Sequence, residues 1–91
     1  MQLTERQRQI MLGMARGLRL KDHRDIEGSK NYALHYPDGR SEPVDAADVE
    51  ALVELGLISS NKKFPSATYW PTEVGHAAIL TLQSEASPEH R

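Results

Sequence analysis

The sequence predicts an α+β domain of three helices with a small antiparallel sheet, and three observations point to it. Apolar residues recur at helical spacing in three separate stretches, near Ile10, Val49 and Ile79. Between them lie segments in which apolar and polar residues alternate, and turns containing glycine or proline mark each change of period. Ninety-one residues suffice for one domain with one modest core, which must be mainly aliphatic because the chain has one Trp, three Tyr and one Phe.

The first helix is expected over residues 5–16. Thr4 followed by Gln7 forms a capping box: the Thr hydroxyl accepts from the Gln7 backbone and the Gln side chain accepts from the Thr4 N–H. Ile10, Met11, Met14 and Leu18 make the apolar side, with Arg6, Gln9, Gly13 and Arg16 opposite. Gly17 suits a left-handed C-terminal cap.

From Leu18 the period becomes two. Leu18, Leu20 and Ile26 alternate with charged neighbours, then Tyr32, Leu34 and Tyr36 alternate with Ala33 and His35. Glu27-Gly28-Ser29-Lys30 and Pro37-Asp38-Gly39-Arg40 are turn signals, so this segment is a hairpin or a three-strand meander.

A second helix follows, with Asp45 as N-cap, Asp48 in the first turn, Val44 stapling onto Val49, and a Schellman-like stop at Gly56 that folds Leu57 onto Leu52. Leu57, Ile58 and Ser59 read as a strand, residues 61–66 as a tip, and Thr68 to Trp70 as the returning strand. Tyr69 and Trp70 face opposite sides, one toward the core and the other toward solvent. Thr72 is the N-cap of a third helix, and Gly75 lets that helix sit close against the preceding hairpin. Ala77, Ala78, Ile79 and Leu82 form its apolar face. The domain is expected over residues 1–82, with residues 83–91, poor in apolar side chains, as a disordered tail.

The run "VEALVELGLISSNKKFPSATYWPTEVGHAAIL" resembles the winged-helix families, in which a helix, a Gly-Leu-Ile strand, a turn and an aromatic-ended strand lead through Thr-x-x-Gly into a helix. Those families usually have Leu before the Thr, where this chain has Pro71. The resemblance implies a winged-helix-like fold with a C-terminal wing. Over most of the chain, "LTERQRQIMLGMARG", "HRDIEG" and "GLISS" with the later Tyr and Thr-x-x-Gly are similar to the YjhX-type toxins, small bacterial proteins associated with inhibition of a DNA topoisomerase by direct contact. That likeness implies a regulatory or inhibitory interaction protein of bacterial or phage origin. It transfers no site residues.

Composition narrows the remaining classes. Without cysteine there are no disulfides or thiolate sites, and neither a signal-peptide core nor a membrane-length apolar run is present, so a soluble cytoplasmic chain is expected, as monomer or homodimer. The net charge of −2 divides unevenly: residues 1–40 carry +3 and residues 41–91 carry −5, which predicts a basic face and an acidic face.

In an ordinary winged helix, the helix before the wing enters the major groove and reads bases with Arg, Lys, Asn or Gln. Here that helix is "DAADVEALVELG", whose polar residues are Asp45, Asp48, Glu50 and Glu54. Carboxylates near phosphate oppose the counterion release on which DNA affinity depends. The acids are read first as a solvated helix face and second as a DNA-mimicking surface. A protein partner from the DNA-handling machinery is the leading expectation, and a DNA-binding transcription regulator is the alternative. The expected contact residues are Lys62, Lys63 and Phe64 at the wing tip, with Arg16, Arg19 and Arg24 on the flank of the first helix and strand. Phe64, the single Phe, is either an aromatic anchor with a basic rim or a ring folded back over the wing.

No phosphate-binding glycine loop, nucleophile elbow, H-E-x-x-H or dinucleotide fingerprint is present, so no enzyme activity, catalytic residue or cofactor is expected. His23 and His35 meeting across the hairpin near Asp22 or Asp25 would make a weak metal site without a third ligand, and a surface pair is the expectation.

Overall fold

The computed structural model describes residues 2–62 and 66–86. Its elements run α1 (Glu5–Ala15), β1 (Arg19–Arg24), β2 (Lys30–His35), β3 (Ser41–Val44), α2 (Ala46–Glu54), β4 (Ile58–Ser60), β5 (Ser66–Pro71) and α3 (Glu73–Ala86). All strand pairs are antiparallel, and the five strands form one sheet in the order β3-β2-β1-β5-β4. The chain is therefore α+β with three helices, and the segment between α1 and α2 is a three-strand meander.

Helix ends follow local chemistry. Thr4 and Gln7 make both bonds of the capping box, at 3.0 and 3.1 Å. Both α1 and α2 close in Schellman geometry: Leu18 N–H donates to the Gly13 carbonyl and Leu57 N–H to the Leu52 carbonyl, each at 3.0 Å. The left-handed φ at Gly17 (+100°) and Gly56 (+76°) permits these reversals. At α3, Gly75 N–H donates to Thr72 Oγ1 at 3.0 Å, completing an N-cap. A Cβ on Gly75 would lie 2.0 Å from the Leu57 carbonyl oxygen, so the close approach of α3 to the chain entering β4 requires glycine.

One face of the sheet holds the core. Leu20 stands opposite Leu34 on one side and Tyr69 on the other, and these join Tyr32, Val44, Ile58 and Ala67 on that face. Ile10, Met11 and Met14 from α1, Val49 and Leu52 from α2, and Ile79 and Leu82 from α3 complete a single cluster. Each fully buried aliphatic side chain here contributes about 1.5–3 kcal/mol. Tyr69 is buried and Trp70, on the other face, is 46% exposed.

Several details differ from the sequence reading. Ile26 is fully exposed instead of continuing the β1 stripe. Asp25 is the reason: its Oδ1 accepts from the N–H groups of Glu27 and Ser29, reversing the chain before Ile26 can join a strand. Gly13 is buried, not on the wet side of α1, because the Schellman turn brings Leu18 back under it, with Leu18 Cδ1 only 3.0 Å from where a Cβ would stand. Asp45 occupies the N-cap position of α2, yet its side chain makes no capping bond. Asp48 is instead drawn toward α1, where Gln7 Nε2 donates to its Oδ1 at 3.3 Å. Helix α3 runs to Ala86, four residues past Leu82.

Candidate functional site

Alternation along β1 places Leu20, Asp22 and Arg24 toward one face, and the β5 register sets Asp22 beside Ala67. Asp22 is 3% exposed, and the Tyr69 hydroxyl donates to its Oδ2 at 2.7 Å. A buried carboxylate held by one neutral donor is costly unless partners offset its desolvation. The Tyr69 hydroxyl is pushed well above its ordinary pKa, first by burial and then by its bond to Asp22, so it remains a proton donor throughout the physiological range. The Tyr32 ring lies 6.0 Å from the Tyr69 ring, tilted at 52°.

This pair lines a groove of about 680 Å³ beside the β4–β5 hairpin. Val53, Gly56 and Thr72 wall it, and Arg24, Lys30 and Lys62 contribute three cations. Arg24 is steadied by donation to the Gly28 carbonyl at 2.8 Å, and Lys30 Nζ lies 6.0 Å from the Tyr32 ring centre. Lys62 has a left-handed φ of +56°, unusual away from glycine, and its N–H donates to Ser60 Oγ. Among the described residues none of these cations has a carboxylate partner.

The six expected contact residues do not form one patch. Arg24 and Lys62 share the groove beside the β4–β5 hairpin. Arg16 and Arg19 are exposed at the opposite end of β1, about 16 Å away for a six-residue strand. Lys63 and Phe64 lie outside the described residues. Of the other cations near the first helix, Arg6 is tied to the Pro43 carbonyl and Glu42, and Arg8 to Glu5.

His23 and His35 do not meet. Strand register sets His23 opposite Asn31 and His35 opposite Arg19, at the two ends of the hairpin. Among the described residues no three His, Cys, Asp or Glu side chains are grouped to hold a metal ion. No described helix is long and apolar enough to cross a membrane.

Charge is sorted by element. Helix α2 carries Asp48, Glu50 and Glu54, helix α3 carries Glu73 and Glu85, and neither has a lysine or arginine. The sequence reading missed the Asp22–Tyr69 pair because its members are 47 residues apart, although Asp22 shares the strand parity of Leu20 and so belonged to the buried side. The chain matches no protein-family model, no curated protein and no solved structure.

Proposed function

We propose that this protein is a small non-enzymatic regulatory or inhibitory module of winged-helix-like form, with β4 and β5 as its wing. It binds the acidic surface of a protein partner from the DNA-handling machinery through the wing end: Arg24, Lys30 and Lys62, with Lys63 and Phe64, which follow Lys62 in the sequence. Arg16 and Arg19 are left out of this contact because they stand at the far end of β1.

The observation that carries the reading is the sorting of charge. The helix preceding the wing, the one that would enter a duplex groove, is anionic and lacks any cation, while Arg24, Lys30 and Lys62, which have no carboxylate partner among the described residues, line the groove beside the wing. The sequence likeness to topoisomerase-inhibiting toxins supplies the class of partner.

The test is relaxation of supercoiled DNA by purified bacterial topoisomerases at increasing concentrations of this protein. Inhibition that Lys62→Glu and Arg24→Glu abolish, without change in circular dichroism, supports the proposal; no inhibition of any of them sinks it. The alternative, a DNA-binding transcription regulator, draws on the same cations. Duplex binding with a steep salt slope would favour it.

A further inference from the structure

Among the described residues the three helices pack on one face of the sheet. The other face is built from the opposite strand parity: Arg19, Lys21 and His23 on β1, Asn31, Ala33 and His35 on β2, and Thr68 and Trp70 on β5. No carboxylate from any of the five strands belongs to this parity. Asp22 and Glu42, the strands' two acids, both alternate onto the helix-covered side.

Register brings the chemistry together. Lys21 pairs with Thr68 and Leu20 with Tyr69 on β5, so Arg19 and Trp70, the next residue of each strand, stand at the same end of that pairing. Arg19 and Lys21 are two residues apart on one face, about 7 Å, while neighbouring strands are about 4.8 Å apart. A row of cations thus runs along β1 next to a ring that is 46% exposed. Among the described residues neither Arg19 nor Lys21 has an ion-pair partner.

An uncovered antiparallel face is ordinarily just polar and mixed in charge. This one has charge of a single sign and an unburied tryptophan. We propose that the open sheet face binds single-stranded nucleic acid, with Arg19 and Lys21 following the phosphates and Trp70 stacking on an unpaired base. An extended polyanion with free π-faces matches both features, because cationic tracks beside aromatic platforms are how single strands are held without sequence readout. A duplex keeps its base faces stacked internally and gives Trp70 nothing to stack on. An acidic protein would meet a face whose apolar content beyond Trp70 is Ala33 and Pro43, too little for the buried centre that protein interfaces need.

Trp70 is the chain's single tryptophan, so its fluorescence reports on this face directly. The full chain is titrated with oligo(dT) and oligo(U) at several salt concentrations, with duplex DNA and polyglutamate in parallel. Saturable quenching by either single strand is expected, with a log–log salt slope of about −1.4 to −2.8 for two to four phosphates. By anisotropy of labelled oligonucleotide, Trp70→Ala should weaken binding about tenfold or more and Trp70→Phe only a few-fold. Arg19→Ala and Lys21→Ala should each flatten the slope by about 0.7. Absence of quenching at low salt, equal affinity for duplex, or full displacement by polyglutamate would each overturn the proposal. This surface is independent of the wing-end contact: Lys21→Glu should abolish oligonucleotide binding and leave topoisomerase inhibition intact, while Lys62→Glu should do the reverse.

Discussion

The two faces of the sheet are made by the same strands and differ in almost every physical respect. On the covered face Leu20, Leu34, Ile58 and Tyr69 touch three helices, and the one strand carboxylate there that is fully buried, Asp22, has a buried phenol as partner. On the open face Arg19 and Lys21 have no ion partner among the described residues, and Trp70 remains half in water. The contrast teaches where to look for stability and where for binding. Residues one position apart on β1 should respond to mutation in opposite ways.

Leu20→Ala is the largest expected effect. It removes a side chain with no exposed surface at the crossing of β1, β2 and β5, and should cost about 2–5 kcal/mol in chemical denaturation. A loss below about 1 kcal/mol would mean that the covered face is loosely packed. Tyr69→Phe comes next: it leaves the Asp22 carboxylate buried without its donor and should cost about 1–3 kcal/mol, while Asp22→Asn, which retains an acceptor, should cost less.

The same pair makes stability depend on alkaline pH. Because burial raises the pKa of the folded Tyr69 hydroxyl, the folded state holds that proton more tightly than the unfolded chain. Its contribution is complete below the unfolded value near pH ~10 and falls as pH rises above it. Thermal melts should therefore decline more steeply above that pH for the wild type than for Tyr69→Phe. The smallest effect belongs to the open face, where Lys21→Ala should shift stability by no more than about 0.5 kcal/mol while changing oligonucleotide binding. A large loss of stability from Lys21→Ala would erase the distinction between the faces.

What the sequence made legible is local. The Thr4–Gln7 box, the Gly17 and Gly56 stops, the Thr72 cap and the tight fit at Gly75 each depend on residues within a few positions or on one glycine, and each is found. The meander and final hairpin followed from period-two alternation. Features that need register between distant strands were not legible. The separation of His23 from His35, the Asp22–Tyr69 bond and the single-signed open face depend on which residues β1 pairs with in β2 and β5. The exposure of Ile26 was hidden for a smaller reason, a side-chain turn begun by Asp25 two residues ahead of the glycine-bearing signal. Part of the expected contact, Lys63 and Phe64, lies outside the described residues.

At the junction of α2, the β4–β5 hairpin and α3, Thr72 N–H donates to the Leu57 carbonyl at 2.9 Å and its hydroxyl donates to the Gly56 carbonyl. The carbonyls of Gly56 and Leu57, just past one helix, are thereby occupied by the N-cap residue of another. The two helices share a knot: α3 cannot detach without stripping the end of α2, and the hairpin between them is clamped at both roots. Hydrogen exchange should accordingly find the Leu57 and Gly75 amides opening together as one cooperative unit, with the hairpin's aim set by its base.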